Sequence, residues 1–366
     1  MRKFILLIVM TVLVSVGHEA FSQMNRKAIK RNNKRISSYR GQKFGFGPEK
    51  RYNTIGISLN ALNYYGDLAP RPSRISTDIT FTRPAIGLSF THRFGPRYQV
   101  TAAFAYGTLK GADSESANPN DVQSGAYRYI RNLSFRNRIM ELSVVAQFDL
   151  FENMATYISR VPWTPYVFIG LAVFHHNPQA QVPATDLLDN PFPNAGEWVN
   201  LRDLGTEGQK TVRQEGDANY GLKEYSLIQP AIPFGLGVRF RVNQVLDLSA
   251  ELGFRYLFTD YIDDVSRDYV DLSTLSSPLA KAMSYRSNEV DTPAEAVNYI
   301  MDFNGVYTYP DGTEVVSGYG HINHPGPDTK DKFNKRGDGG TKDTYMITTI
   351  RLTYILGKTF HRAKFR

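Results

Sequence analysis

The segment IMELSVVAQFDLF, residues 139–151, decides the fold because apolar and polar side chains alternate along it. Met140, Leu142 and Val144 fall on one parity, and Glu141 and Ser143 fall on the other. Successive side chains of a β-strand point to opposite faces, so the pattern predicts a strand with one apolar and one polar face. Its 13 residues exceed the length of about 9–11 residues that a tilted strand needs to cross a membrane.

The same pattern recurs along the chain, and the connections between its copies alternate in length. Seven further strands are predicted at 55–65, 85–94, 98–108, 165–176, 226–242, 246–258 and 345–356. The connections 95–97, 152–163 and 243–245 are short, whereas 66–82, 109–132, 177–224 and 259–344 are long. Such alternation is typical of outer-membrane barrels. The sequence therefore predicts an all-β fold, an eight-stranded antiparallel transmembrane β-barrel over 54–357, with long extracellular loops and short periplasmic turns.

The charged side chains of the polar parity separate this fold from a soluble sandwich or lipocalin-like barrel. A soluble barrel would turn its apolar parity inward and its charges outward. In a membrane barrel the charges face the lumen, and eight strands leave room only for side chains. We therefore predict that opposite charges pair inside the barrel and fill it. The predicted lumen charge network comprises Glu141, Arg239, Glu251, Arg255 and Arg351.

The first residues predict export. Arg2 and Lys3 precede an apolar run from Phe4 to Val16, and the small residues of AFS at 20–22 fit a cleavage site. The pattern indicates a secretory signal peptide over 1–22. A membrane-anchor helix is the alternative, although the run is short of the about 20 residues that span a bilayer.

Two basic segments flank a more acidic body. Residues 23–53 contain ten Lys or Arg and one Glu, and residues 358–366 contain four Lys or Arg and no acid. Both segments are predicted to be periplasmic, with anionic lipid headgroups, peptidoglycan or an acidic protein as partners, or to be solvated linkers. Nucleic acid is not expected there. The predicted partner-binding residues are Arg26, Lys27, Lys30, Arg31, Lys34 and Arg35.

Few residues suggest chemistry. His175 and His176 could support lipid or ester hydrolysis, but the sequence lacks a GxSxG nucleophile motif. The pair His321 and His324 is a weak metal signal. The acidic stretch 259–271 could bind calcium, although its spacing is not that of an EF-hand loop and favours hydrogen-bonded turns. We therefore predict a protein that is not an enzyme and has no cofactor, catalytic residue or metal.

Two tyrosines end the first predicted strand, in the stretch NALNYYGDLAP at 60–70. Aromatic rings often mark the level where a barrel leaves the hydrocarbon for the lipid headgroups. Tyr64 and Tyr65 are accordingly predicted to be interface anchors, with Gly66 and Asp67 turning the chain into the first long loop.

Five segments in order resemble the PorG-type outer-membrane proteins of the type IX secretion system, a barrel family with a domain of unknown function. They are LNYYGDLAP at 62–70, YRYIRNLSFRNRIMELSVVAQFDLF at 127–151, PYVFIGLAVFHHNPQA at 165–180, LGTEGQ at 204–209 and TDYIDDVSRDYVD at 259–271. The resemblance implies a non-enzymatic part of the secretion machinery. Its implied partners are a periplasmic ring, built of a lipoprotein and its partner, and the lipid of the outer membrane. The alternatives are a barrel with a structural or adhesive role through its external loops, and a lipid-modifying barrel enzyme.

Overall fold

A computed structural model describes residues 46–47, 50–69, 81–118, 120, 125–290, 306–308, 314–316 and 335–356. The chain divides into two compact units, Met1–Arg51 and Tyr52–Arg366. The predicted signal peptide, the six cations predicted to bind a partner, His321, His324 and the C-terminal basic segment all lie outside the described residues.

Twelve strands and four short α-helices are described in the second unit. The strands are β1 (Tyr52–Tyr65), β2 (Arg83–Arg93), β3 (Tyr98–Ala112), β4 (Ser134–Asp149), β5 (Trp163–His175), β6 (Pro178–Gln181), β7 (Trp198–Asn200), β8 (Ile228–Arg241), β9 (Leu246–Leu257), β10 (Val306–Thr308), β11 (Glu314–Val316) and β12 (Thr344–Leu356). The helices are Asp113–Ser116, Gly125–Arg131, Leu201–Leu204 and Pro278–Ser284. None of the described helices has the length and apolar character needed to cross a membrane.

Eight of the strands close into a barrel. Each of β1, β2, β3, β4, β5, β8, β9 and β12 pairs antiparallel with the next, and β12 pairs back with β1. Every barrel strand therefore has two hydrogen-bonded neighbours and no open edge. The turns β2–β3, β4–β5 and β8–β9 lie at one end, here the short-turn end, and the other four connections lie at the long-loop end. The predicted eight-stranded antiparallel barrel is confirmed.

The outer wall of the barrel is apolar. Leu59 and Leu171 are 71% and 72% exposed to the surroundings. The outward apolar side chains of β4 and of the residue after it run from Met140 to Leu150. Ten residues of a strand tilted by about 40° rise about 25 Å, the usual height of the apolar band on a membrane barrel. An apolar wall of this height faces lipid, so the barrel is a transmembrane one.

Aromatic side chains border this apolar band at both ends. Exposed rings at the short-turn end include Phe94, Tyr98, Phe151, Trp163, Phe240 and Tyr354, and those toward the long-loop end include Tyr106, Tyr256 and Phe258. Rings at these levels fit the aromatic girdles of membrane barrels.

The prediction that Tyr64 and Tyr65 anchor the barrel at the interface is wrong. Tyr64 lies on the inward parity of β1 with Asn60 and Leu62, and its ring packs edge-on against Phe135. Tyr65 is also buried, and its hydroxyl lies 3.8 Å from the sulfur of Met346. Neither hydroxyl is therefore available to headgroup water.

The described parts of the long connections pack over the end of the barrel and form what we call the long-loop cap: residues 66–69, 113–118, 125–133, 176–227, 258–290 and 335–343. Leu68, Leu133, Ile262 and Val265 of the cap belong to one hydrophobic core together with Leu62 of β1. The sheet itself continues on this side, because β6 pairs with the first part of β4 and β7 pairs with β6. The cap is thus built on the barrel through both apolar packing and a shared sheet.

Candidate functional site: the ion-paired lumen and the long-loop cap

The lumen nearest the cap is filled by an ion pair between Glu141 of β4 and Arg255 of β9. The guanidinium donates to both carboxylate oxygens, with Nη2 at 2.8 Å from Oε1 and Nε at 3.0 Å from Oε2. The Tyr345 hydroxyl of β12 donates to Oε2 at 2.6 Å. The Glu141 and Arg255 side chains are only 1% and 11% exposed, so three strands are linked by a charge-assisted contact inside the barrel.

A second ion pair lies on the neighbouring wall. Arg351 of β12 donates to the two oxygens of Glu251 of β9, at 2.7 and 2.9 Å. The hydroxyl of Tyr166 of β5 donates to Glu251 at 2.6 Å. This cluster repeats the composition of the first one, with an arginine and a tyrosine serving one glutamate.

Two aspartates form ion pairs with arginines in the part of the lumen toward the short-turn end. Asp149 accepts from Arg93 at 2.9 Å and from Arg239 at 2.9 Å, so two cations share one carboxylate. Asp247 accepts from Arg160 of the β4–β5 turn at 2.5 Å. Arg160 also donates to backbone carbonyls of the β8–β9 turn. These contacts tie the turns at this end to the interior.

The five residues of the predicted lumen network all lie inside the barrel, but they belong to three separate ion pairs, and Arg239 is linked to the Glu251 pair only through the ring of Tyr166. Glu141 contacts Arg255, Glu251 contacts Arg351, and Arg239 contacts Asp149. Arg93 and Arg160 were not among the predicted residues. Both are at the end of a strand or in a turn, where alternation gives no signal.

Two small cavities lie between the side chains of the lumen. A cavity of about 40 Å³ lies beside Glu141 and Arg351, and another of about 20 Å³ lies beside Asp247 and Arg239. Such volumes hold a few water molecules. Ion-paired side chains, with room for a few water molecules, therefore occupy the described lumen at these two levels.

The long-loop cap buries a cluster of carboxyl groups around Tyr64. The Tyr64 hydroxyl lies 2.6 Å from Asp263 Oδ2 and 2.9 Å from Asp343 Oδ1. A hydroxyl has one proton to donate, so contact with both groups fits a state in which one carboxyl is protonated. Burial, reinforced by nearby carboxylates, raises the pKa of Asp263 and of Asp343 well above the ordinary value.

Two further carboxyls at the edge of this cluster are perturbed in the same direction. Burial raises the pKa of Asp67 to about 6, although the charge of Arg131 opposes the shift. Burial raises the pKa of Asp260 to about 6 as well, against the hydrogen bond from Ser266. The cap therefore holds fewer negative charges near neutral pH than its carboxyl count suggests.

A buried arginine joins the second half of the cap. Arg336 is 1% exposed and lies 3.1 Å from Glu207 Oε1, and it also donates to the backbone carbonyl of Asp264. Glu207 accepts in addition from the backbone amide of Ser266 at 2.9 Å. Burial raises the pKa of Asp264 to about 6 despite the charge of Arg336. Arg336 thus connects segments far apart in sequence without an exposed charge.

The histidine pair at the end of β5 has a structural environment. The Nε2 atom of His176 lies 3.0 Å from the backbone carbonyl oxygen of Ser226, and its ring stacks on Tyr225. Burial lowers the pKa of His176 to about 4. The Nδ1 atoms of His175 and His176 have no hydrogen-bond partner in the described part of the protein. No serine hydroxyl or glutamate is bonded to either ring there.

Carboxylates of the acidic stretch 259–271, which is part of the cap, accept hydrogen bonds from backbone amides in turns. Asp271 accepts from the Ser273 amide, and Asp263 accepts from the Val265 amide. Among the described residues, no group of three or more His, Asp or Glu is placed so that it could hold a metal ion.

The closed sheet, the lipid-facing wall and the ion-paired lumen define a transmembrane β-barrel. Residues 47–190 of the chain match the family described as Domain of unknown function (DUF6089).

Three solved outer-membrane protein structures are similar to the chain. Neisserial surface protein A (NspA), of Neisseria, has 8% identity and a TM-score of 0.32, covering 82% of this chain and 96% of its own. OprG of Pseudomonas aeruginosa has 9% identity and a TM-score of 0.32, with 86% and 100% covered. Ail of Yersinia pestis has 8% identity and a TM-score of 0.30, with 83% and 97% covered. No curated protein sequence matches the chain.

Proposed function

We propose that the protein is a non-enzymatic outer-membrane component of the type IX protein secretion machinery, a PorG-type barrel that contacts the periplasmic ring of a lipoprotein and its partner. The proposal draws its specificity from the five segments that resemble this family, from Leu62 to Asp271. The predicted signal peptide is consistent with export to the outer membrane.

The observation that carries the proposal is the position of the barrel's two ends. Asn53 of β1 pairs with Leu356 of β12, so the chain enters and leaves the barrel on adjacent strands at the short-turn end. The basic segments 23–53 and 358–366 are joined to the barrel at these two points. With the short-turn end in the periplasm, as is usual for outer-membrane barrels, both cationic segments start on the side where the ring is found.

The filled lumen supports an anchoring role. Four carboxylates in the lumen, those of Glu141, Asp149, Asp247 and Glu251, all have arginine partners. A secreted protein chain could not pass through this interior without the loss of all these contacts. The proposed contribution of the barrel is therefore attachment and positioning at the membrane, while transport takes place elsewhere in the machinery.

An adhesive role through the external loops is the second candidate. Val212 and Tyr220 of the long-loop cap are 101% and 59% exposed and would be available to a partner in this role. This role would use the opposite end of the barrel from the basic segments.

Deletion of residues 24–50 in the full chain tests the proposal. We expect affinity purification of the parent protein to recover the ring lipoprotein and its partner, and recovery to fall strongly after the deletion. A variant in which Arg26, Lys27, Lys30, Arg31, Lys34 and Arg35 are all replaced by Gln separates charge from length. A shuffled 24–50 segment of unchanged composition is the matched control, and it retains recovery if charge alone is recognised.

Two results would count against the proposal in different ways. Unchanged recovery after the deletion, in a protein that still shows the heat-modifiable gel mobility of a folded barrel, would exclude docking through the N-terminal segment. Absence of ring proteins from the parent purification would contradict the secretion role itself and leave the adhesive candidate.

A further inference from the structure

Three cations form a cluster on the outer wall of the barrel, at the long-loop end. We call Lys110 of β3 and Arg136 and Arg138 of β4 the wall cation cluster. The strand register places Lys110 directly opposite Arg136, and Thr108 directly opposite Arg138. All four positions are on the same parity as Tyr106 and Met140, which are exposed on the lipid-facing wall. The cluster therefore faces outward and not into the lumen.

The cluster lies just beyond the apolar band. Met140 is the last apolar residue of the outward row on β4, and Arg138 is the next outward residue. Two residues of a tilted strand rise about 5 Å, which brings the Arg138 backbone from the edge of the hydrocarbon into the headgroup layer. Tyr106, opposite Met140, marks the same boundary with its aromatic ring.

The cations of the cluster have little negative charge to balance them. Lys110 forms an ion pair with Glu115 at 2.5 Å, in which both side chains are partly exposed. Arg136 Nε donates to the amide oxygen of Gln179 at 3.2 Å. Within the part of the chain that the structure describes, neither Arg136 nor Arg138 has a carboxylate partner. Like charges at facing and neighbouring strand positions repel unless an anion lies between them.

Arg136 is held in place for such an anion. Its guanidinium carbon lies 3.6 Å from the centroid of the Trp198 ring, a cation–π contact that fixes the plane of the group. Trp198 is contributed by β7, which joins β4 through β6. The extended sheet thus orients a guanidinium that has one neutral hydrogen-bond acceptor and, among the described residues, no anionic one.

We propose that the wall cation cluster binds a phosphate-bearing lipid headgroup in the leaflet at the long-loop end. Arginine guanidinium groups match the geometry of phosphate oxygens and can donate two parallel hydrogen bonds. The apolar side chains below the cluster contact the acyl chains of the same lipid, which free phosphate does not have. The site requires only the transmembrane barrel and is independent of the proposed secretion role.

Lipid retention by the full chain, reconstituted in phosphatidylcholine nanodiscs, tests the proposal. The discs are doped in separate experiments with lipid A or with phosphatidylglycerol, and bound lipid is counted by native mass spectrometry after release from the disc. A parallel titration uses inorganic phosphate. The test variant is Arg136→Gln/Arg138→Gln. The matched control is Lys223→Gln/Arg267→Gln, which removes two exposed cations from loops at the same end.

We expect the parent and the control to retain the anionic lipid, and the test variant to lose it. Each cation near a membrane surface changes affinity roughly fivefold, so removal of two should weaken retention about thirtyfold. The charge-conserving variant Arg136→Lys/Arg138→Lys should retain more lipid than the Gln variant and less than the parent, because it keeps the charges but loses the paired guanidinium hydrogen bonds. It also separates a charge effect from a folding defect. Equal retention by parent and test variant overturns the proposal. An equal loss in the control, or binding of inorganic phosphate as tight as that of the lipids, also overturns it.

Discussion

Removal of the charge on Glu141 should destabilise the barrel far more than removal of an exposed carboxylate. Glu141→Gln keeps the size of the side chain but leaves the guanidinium of Arg255 without a counter-charge. The amide oxygen can take the place of Oε2, which accepts from Arg255 Nε and from the Tyr345 hydroxyl. The NH2 group then takes the place of Oε1 and faces Arg255 Nη2, which is also a donor.

The size of the effect follows from the burial of the pair. Breaking a buried ion pair by removing one partner costs about 3–5 kcal/mol. The cavity of about 40 Å³ beside the pair can hold water that partly hydrates Arg255, so we expect the lower end, about 3 kcal/mol. Arg255→Gln should cost a similar amount. The double variant Glu141→Gln/Arg255→Gln should also lose only about 3 kcal/mol, because no unpaired charge then remains in the lumen.

Equilibrium unfolding in urea of the protein inserted in lipid vesicles, followed by tryptophan fluorescence, measures these free energies. The control is Glu152→Gln in the ion pair Arg97–Glu152, where the atoms are 3.9 Å apart and the side chains are 36% and 51% exposed. Such a pair contributes less than about 1 kcal/mol. A coupling energy below about 0.5 kcal/mol between positions 141 and 255 would refute the reasoning, since it would mean that the two charges do not stabilise each other.

Two further predictions concern the cap and the wall. The carboxyls of Asp67 and Asp260 have pKa values raised to about 6, so these groups bind more protons in the folded cap than in the unfolded chain. The stability that they contribute to the cap is therefore fully present below the ordinary aspartate pKa and falls as the pH rises through about 6. Amide hydrogen exchange in segment 258–268, corrected for the intrinsic rate, should therefore become faster from about pH 5 to about pH 8. Asp343→Asn should reduce this pH dependence, and Glu215→Gln, at an exposed position, should leave it unchanged. An exchange rate that does not depend on pH would be evidence against buried, protonated carboxyls. Gly170→Ala should lower the free energy of unfolding by about 3 kcal/mol, the upper end of the usual cost of overpacking, because the added Cβ would lie 2.1 Å from the backbone oxygen of Val144. Gly340→Ala, whose nearest neighbour would be 3.2 Å away, is the control, and equal unfolding curves would show that the β4–β5 ladder is looser than described.

Alternation predicts the barrel strands well because membrane and lumen impose opposite polarity on successive side chains. It fails where a strand leaves the membrane. β4 begins at Ser134, five residues before the predicted start at 139, because Arg136 and Arg138 occupy the outward row above the apolar band while the ladder with β3 continues. β6 and β7 are too short for any period to be visible.

The sequence predicts which side chains face the lumen, but it does not predict which of them form ion pairs. Parity places Glu141 and Arg255 in the lumen, but these residues are 114 positions apart and meet through the tilt and closure of the barrel, which no local pattern encodes. Tyr64 illustrates the converse error. Its even parity, shared with Asn60, points inward, yet its place at a strand end suggested the interface. Parity was the better guide there.

The seam between β1 and β12 determines how the barrel would respond to mechanical force. The two strands are paired over 13 residue positions, and β1 is paired with β2 over 11 more. A pull on both chain ends along the barrel axis would load the β1–β2 ladder and the β9–β12 ladder lengthwise, each over 11 positions, so that many hydrogen bonds must break together. A pull that separates the two ends sideways would open the same seam one bond at a time. A partner that binds both basic segments together would therefore load the barrel in the direction in which it resists force most.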